Sequence, residues 1–212
     1  MYNMVVFITS KMSIEKSIGE IIRRNGGWIG NKILKESGIP AIYLSRYVEK
    51  NGLIRVARGF YAEPYWPIDH YLVFQYAYPR FVYSLNSAVY LHGLADAQPN
   101  FLEVTGPMNY RPFPKAMDGV FTHTDTVAES YGLGIIEVRT ELGNAVRVYD
   151  MEKTVCDLIR NKPKVDFELY AKALNGYAKS INRNVGKLMR YANAMKMQKQ
   201  VRDEMELILN GD

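Results

Sequence analysis

One stretch of 26 residues constrains the fold more than any other part of this 212-residue chain. Residues 37–62 read SGIPAIYLSRYVEKNGLIRVARGFYA. Pro40 suits the start of a helix, where a missing N–H is tolerated, and the residues after it predict a helix that runs to Asn51. Two short β-rich runs follow at residues 53–56 and 59–62, with Arg58 in the turn between them. The stretch therefore predicts a helix followed directly by a β-hairpin.

Two further helical patterns precede this stretch. Isoleucines recur at helical spacing at positions 14, 18, 21 and 22, and residues 25–27 then break the chain with Asn-Gly-Gly. A second, short helix is predicted to bury Ile29, Ile33 and Leu34 and to end before Gly38. Three helices and a hairpin in this order predict a winged helix-turn-helix domain, in which the third helix enters the major groove of DNA.

The third helix divides its side chains between two faces. With Leu44 at the centre of the buried face, about 100° per residue places Val48 and Asn51 beside it. The side chains predicted to point outward are Ile42, Tyr43, Ser45, Arg46, Glu49 and Lys50. Among these, Arg46 can donate two hydrogen bonds to a guanine edge, which is the commonest base-specific contact in the major groove.

The predicted DNA contacts of this domain extend beyond the third helix. Lysines on the second helix are expected to bind phosphates, and arginines in the hairpin are expected to reach the backbone or the minor groove. The complete set is Lys32, Lys35, Tyr43, Ser45, Arg46, Lys50, Arg55 and Arg58. Winged helices also bind proteins, so a pure interaction module is an alternative interpretation of the same pattern.

A Pro-containing joint, EPYWP at residues 63–67, separates this domain from a region in which predicted helices and strands alternate. The later predicted helices and strands are helices 69–76 and 85–92 and strands 101–105, 120–124, 134–140 and 145–149. Helical periodicity then continues from Met151 towards the end of the chain. We therefore predict an α+β fold, with a winged helix-turn-helix domain at residues 1–63 and a mixed α/β domain at residues 68–212 that ends in helices.

Charge is distributed unevenly along the chain. The net charge is +6 over residues 1–62, −6 over residues 63–159 and +5 over residues 160–212. Basic segments at both ends favour a polyanionic partner, and double-stranded DNA fits the predicted domain. The predicted tail helix, residues 182–197, carries three basic residues at helical spacing: Arg183, Lys187 and Arg190. They form either a second phosphate-binding strip or a solvated helix face.

For each candidate catalytic or metal-binding residue, a structural role explains the sequence better than a chemical one. Ser87 and His92 lie about 140° apart on one predicted helix and do not face each other. The three histidines and Cys156 lack the spacing of metal ligands, and Cys156 fits a packing position better than a nucleophile. We therefore expect no catalytic residues, no metal and no cofactor.

A DNA-processing enzyme of the restriction-nuclease type is the alternative from another functional class. Glu137 and Arg139 alternate on a predicted strand, and Asp118 precedes them, which is similar to the arrangement that holds Mg²⁺ in such nucleases. Arg139 fits this role poorly, because a guanidinium does not readily give up a proton. An exposed strand face with a cross-strand ion pair explains the same residues.

Features of the whole chain favour a cytoplasmic protein that does not cross a membrane. The single cysteine excludes an internal disulfide, which agrees with a reducing compartment. No apolar run approaches the ~20 residues that a membrane helix needs. The N-terminus has no basic region and no cleavage site of a signal peptide. Translation from Met1, Met4 or Met12 is compatible with these features.

Three segments in this order and spacing resemble the AbiEi family, the antitoxins of the AbiE abortive-infection, type IV toxin–antitoxin systems of bacteria. The segments are GWIGNKILKESGIPAIYLSRYVEKNGLIRVARGFY, SLNSAVYLHGLAD and VRVYDMEKTVCDLI, and the resemblance spans residues 25–177.

The resemblance implies two activities. The winged-helix domain is expected to bind inverted repeats upstream of its own operon, with a second protomer on the same DNA, and to repress transcription. The second domain is expected to counteract a nucleotidyltransferase-like toxin encoded beside it, without a stable complex between the two proteins.

Overall fold

The computed structural model describes residues 14–96, 98–108, 110, 119–125 and 128–209. These residues confirm the predicted mixed α+β architecture, with two β-sheets among them. The chain divides between Ala77 and Tyr78 into two compact units, each with its own sheet and its own apolar core. No helix in the described part of the chain is long and apolar enough to span a bilayer.

The N-terminal unit alternates short helices with short strands. Its helices are α1 (residues 14–24), α2 (Asn31–Glu36), α3 (Ala41–Asn51) and α4 (His70–Ala77). Its strands are β1 (Trp28–Gly30), β2 (Ile54–Ala57) and β3 (Phe60–Ala62). Strand β3 lies between β1 and β2 and pairs antiparallel with both. The sequence placed Ile29 on the second helix, and this was wrong because Ile29 pairs with Tyr61 in the sheet.

Two apolar clusters hold this unit together. The first joins α1, α2 and α3 through the buried side chains of Ile18, Ile22, Ile29, Leu34, Leu44 and Leu53. The second is largely aromatic and contains Trp28, Phe60, Ala62, Trp66 and Leu72. Leu72 lies on α4, so this helix packs with the N-terminal unit. The division between the units therefore falls after Ala77, later than the joint expected at residues 63–67. The sequence assigned the helix that became α4 to the second domain, whereas the structure places it in the N-terminal unit.

The second unit combines a five-stranded sheet with helices. The strands are β4 (Val82–Tyr83), β5 (Leu102–Pro107), β6 (Val120–Asp125), β7 (Ile135–Arg139) and β8 (Ala145–Tyr149). The helices are α5 (Leu85–Leu91), α6 (Ala128–Tyr131), α7 (Met151–Arg160), α8 (Phe167–Lys179), α9 (Val185–Ala194) and α10 (Gln198–Leu209), with a 3₁₀ turn at Lys162–Lys164. Strands β5 to β8 confirm the four predicted runs, but the short central strand β4 was missed.

The strand order of this sheet is β6-β5-β4-β8-β7. Strands β5 and β6 are parallel, as are β4 and β8, whereas β4 pairs antiparallel with β5, and β7 with β8. Helix α7 follows β8 directly, because the Asp150 carboxylate caps it by accepting a hydrogen bond from the backbone N–H of Lys153. From Glu152 to Ile159 the side chains of α7 are buried, and α8, α9 and α10 pack against it.

Candidate nucleic-acid interface

Helix α3 runs from just after Pro40 to Asn51, as the sequence predicted. Pro40 has extended backbone dihedral angles and occupies the N-cap, so the helix begins one residue after it. Gly52 adopts φ = 66°, in the left-handed region that favours glycine, and its N–H donates to the carbonyl of Val48. Leu44 is almost fully buried among α1 and α2, which fixes the face that α3 turns to solvent.

The solvent face of α3 differs from the predicted face at two positions. Asn51 was placed on the buried face but is exposed, and its side-chain amide donates to the carbonyl of Tyr47 at 3.0 Å. Tyr43 was placed outside, but it is half-buried and packs against the core of the N-terminal unit. The α3 residues exposed to solvent are Ala41, Ile42, Ser45, Arg46, Glu49, Lys50 and Asn51.

Lys50 is exposed as predicted, but it is engaged in an ion pair. Its Nζ lies 2.7 Å from Oε2 of Glu15 on α1, and the two side chains are 65% and 30% exposed. An exposed pair of this kind contributes little stability, since solvent screens it. Lys50 can therefore exchange Glu15 for another anion at small cost.

The other predicted contacts of the N-terminal unit lie on elements next to α3. Lys32 and Lys35 are exposed on α2, which packs on α3. Arg55 is exposed on β2, and Arg58 is exposed in the turn between β2 and β3. These four side chains keep the exposure that contact with a polyanion requires.

The three basic tail residues do not share one outward face. Lys187 is 29% exposed and its Nζ lies 2.8 Å from Asp150 Oδ2 and 3.1 Å from Glu152 Oε2, so it points towards the start of α7. Arg183 precedes α9, and its guanidinium donates to the carbonyl of Ala178. Arg190 is exposed on α9. The predicted strip on a tail helix is therefore wrong in its geometry, because two buried carboxylates attract Lys187.

The ion pairs of Lys187 affect its protonation. Burial is the largest single influence on the pKa of Lys187 and lowers it, but the hydrogen bonds to Asp150 and Glu152 outweigh burial and raise the pKa above its ordinary value. Tyr191 Oη donates to the same Asp150 oxygen at 3.1 Å. These contacts connect α9 to the start of α7, so the position of Lys187 is explained by packing between the two helices.

The residues considered for catalysis occupy structural positions. The Ser87 hydroxyl accepts the backbone N–H of Glu103, and His92 Nε2 lies 2.6 Å from the carbonyl oxygen of Tyr149. Burial lowers the pKa of His92 and raises the pKa of the Cys156 thiol to about 12, which makes Cys156 a poor nucleophile.

The nuclease-like residues lie on β7, where Glu137 and Arg139 are exposed. Arg139 donates to the carbonyl of Gly143 at 2.6 Å, and Glu137 lies opposite Arg147 in the register of β7 and β8. Asp118, the third residue of the pattern, lies outside the described residues. Within the residues that are described, no group of three or more His, Cys, Asp or Glu side chains is placed to hold a metal ion.

Comparison with known protein families finds a match for the segment that contains α3. Residues 18–64 match the family described as "Transcriptional regulator, AbiEi antitoxin". This segment belongs to the AbiEi antitoxin family. The predicted resemblance is thereby confirmed from within α1 to just beyond β3, and for the residues after the AbiEi segment it stays a prediction. No curated protein matches the chain.

The fold has a counterpart among solved structures. The "Crystal structure of RV2827C protein from Mycobacterium tuberculosis" aligns with a TM-score of 0.54 over 92% of this chain and 79% of that one. The two sequences are 14% identical, so the similarity concerns the fold alone. It covers both units, whereas the AbiEi match is confined to the N-terminal one.

Proposed function

We propose that this protein represses transcription of its own operon by binding DNA, and that it is the antitoxin of an AbiEi-type, type IV toxin–antitoxin pair. The observation that carries the proposal is the exposed face of α3, with Arg46 at its middle, inside a segment that matches an AbiEi family of antitoxins and transcriptional regulators. The net charge of +6 over residues 1–62 supports a polyanionic partner.

In this proposal the N-terminal unit acts as a winged helix-turn-helix. Helix α2 braces α3 through the shared burial of Leu34 and Leu44, α3 enters the major groove, and the β2–β3 hairpin is the wing. The order of the elements and the left-handed Gly52 at the end of α3 support this assignment.

The contacts divide into base readout and backbone positioning. Arg46 and Ser45 are the proposed base readers, because they are exposed on consecutive positions of α3 and their donors match base edges. The proposed backbone contacts are Lys32, Lys35, Tyr43, Lys50, Arg55 and Arg58, of which Tyr43 contributes its hydroxyl while its ring packs on the core. Arg190 is a peripheral candidate, and we omit Arg183 and Lys187 because both are engaged within the second unit.

Two protomers are proposed to bind one inverted repeat. A single reading helix covers few base pairs, and two symmetric protomers provide the contact area that specific operators need. The second unit is the proposed toxin-opposing part, which acts without a stable complex with the nucleotidyltransferase-type toxin. These roles need no cofactor and no catalysis, and they place the protein in the cytoplasm.

A titration of promoter DNA tests the proposal. Fluorescence anisotropy compares a duplex from upstream of the protein's own gene with an unrelated duplex of equal length and composition. Arg46→Ala should weaken binding to the promoter by about 1–3 kcal/mol, roughly five- to 150-fold, and should affect the unrelated duplex much less. Arg202→Ala is the matched control, because Arg202 is exposed on α10 in the second unit.

Two results contradict the proposal separately. Equal affinity of the wild-type protein for both duplexes would refute specific repression. Equal losses on both duplexes for Arg46→Ala would make Arg46 a phosphate contact and remove it from base readout. For the antitoxin part, co-expression with the neighbouring toxin gene should restore growth, and a co-purifying toxin would contradict action without a complex.

A further inference from the structure

The N-terminal unit contains a contact between three elements that the sequence did not indicate. The backbone N–H of Lys32, in the first turn of α2, donates to Oη of Tyr76 on α4 at 2.8 Å. The same hydroxyl lies 3.4 Å from the carbonyl oxygen of Gly59 in the β2–β3 turn, to which it donates. The N–H of Asn31 donates to that carbonyl at 2.9 Å. Tyr76 therefore joins the start of α2 to the hairpin turn.

The start of α2 explains why a distant hydroxyl is needed there. The N-cap is Gly30, which has no side chain that could accept a hydrogen bond from the first turn. A Cβ at this position would lie 2.3 Å from Cζ of Tyr76, so the close approach of the ring requires glycine. Gly30 thus leaves room for the Tyr76 ring, and the Tyr76 hydroxyl accepts the hydrogen bond from the first turn of α2 that an N-cap side chain would otherwise accept.

The ring of Tyr76 is held independently of its hydroxyl. It makes edge contacts with Phe60 at 5.1 Å and with Trp28 at 6.3 Å between ring centroids. Burial raises the pKa of Tyr76, although the hydrogen bond from Lys32 opposes this effect. The hydroxyl therefore remains protonated near neutral pH, and it can accept from Lys32 while it donates to Gly59.

We infer that Tyr76 is a positioning residue for DNA binding, which sets the hairpin turn and its Arg58 relative to α2 and the helix that α2 braces. This inference rests on the proposed function. It extends the DNA-binding module beyond the AbiEi match, which ends at residue 64, to α4 and the end of the N-terminal unit at Ala77. Arg58 and Gly59 are neighbours in that turn, so a shift of the Gly59 carbonyl moves the Arg58 backbone with it.

A double-mutant cycle in the full-length protein separates positioning from general destabilisation. Tyr76→Phe keeps the ring and removes only the hydroxyl. In the wild-type background Arg58→Ala should weaken promoter binding about tenfold, as the loss of one charged hydrogen bond predicts. In the Tyr76→Phe background the same change should cost less than about threefold, because the wing is no longer held in place. Arg46→Ala should lose the same factor in both backgrounds.

The salt dependence gives a second readout that a structural role would not move. Each lost phosphate contact changes the slope of log affinity against log salt by about 0.9, so Tyr76→Phe alone should flatten it by up to that amount. Tyr71→Phe is the matched control, because it removes a hydroxyl from the same helix, whereas Tyr76 makes the bonds to Lys32 and Gly59. It should leave both affinity and slope unchanged.

Two outcomes would overturn the inference. The first is an equal loss for Arg58→Ala in both backgrounds together with an unchanged salt slope. The second is a wild-type protein that does not bind its promoter, which removes the proposed function and the positioning role with it. Hydrogen exchange at the Lys32 amide without DNA distinguishes these cases: faster exchange in Tyr76→Phe shows that the hydroxyl holds α2 even if no DNA is bound.

Discussion

Two ion pairs of equal spacing but opposite burial allow a direct test of what α7 contributes to stability. Lys153 Nζ lies 2.7 and 2.8 Å from the two carboxylate oxygens of Asp157, and the side chains are 1% and 11% exposed. Lys172 and Glu168 on α8 form the same i,i+4 pair at 2.6 Å, with side chains 59% and 75% exposed. Asp157→Asn removes a carboxylate charge from beside the buried Lys153 ammonium, whereas Glu168→Gln changes a pair that solvent screens.

The structure sets the expected magnitude. Removing one partner of a buried pair costs about 3–5 kcal/mol, and the lower end applies here because Asn keeps one acceptor and Asp157 is slightly exposed. The Lys153 ammonium also lies 4.4 Å from the centroid of the Tyr149 ring, a contact that the substitution leaves intact. We expect Asp157→Asn to destabilise the second unit by about 3 kcal/mol, and Glu168→Gln to have no measurable effect.

Urea denaturation followed by circular dichroism measures the difference. For slopes of about 2–3 kcal/mol/M, the midpoint of Asp157→Asn should fall by about 1–1.5 M. Adding Lys153→Met to Asp157→Asn should destabilise less than the sum of the single changes, since the buried ammonium that Asp157 balances in the wild type is then removed as well. Equal midpoints for Asp157→Asn and Glu168→Gln, or additive losses in the double variant, would refute this account of the buried pair.

Two further predictions concern the second unit. Burial lowers the pKa of His92, so the unfolded chain takes up a proton first as the pH falls through about 6.5, and stability should decline from there towards the lower folded pKa. His92→Gln keeps a donor towards the Tyr149 carbonyl but cannot titrate, so its urea midpoint should fall less between pH 8 and pH 5; identical declines would contradict the assignment. Lys187→Glu should lower the midpoint because it places a third negative charge beside two buried carboxylates, whereas Arg190→Glu should change stability by less than about 0.5 kcal/mol. If Lys187→Glu is as stable as Arg190→Glu, the ion pairs of Lys187 do not hold α9.

Predictions from sequence succeeded where a few neighbouring residues decide the conformation. Pro40 predicted the start of α3, because proline restricts φ, and the helix ends at Asn51 as predicted. The sequence also predicted the four runs that form β5 to β8. The position of Arg46 on the solvent face of α3 followed from helical periodicity and the burial of Leu44.

Predictions failed where the partner of a residue lies far along the chain. Strand β1 forms only because Trp28 to Gly30 pair with β3, and the two residues of β4 form a strand only between β5 and β8. Lys187 has the spacing of a solvent-facing residue, but the carboxylates at the start of α7 draw it inward. Helical periodicity records which side of a helix is apolar, and it carries no information about a buried charge on a neighbouring helix.

The sequence by itself determined the order of the elements, the limits of α3, the basic character of the N-terminal unit and its AbiEi resemblance. Only the tertiary structure decided that α4 completes this unit and that the Tyr76 hydroxyl caps α2 beside the hairpin turn. The physical reason is the range of the interactions. Backbone dihedral preferences and side-chain periodicity act within a few residues, whereas a cap supplied from 44 residues away exists only after the chain has packed.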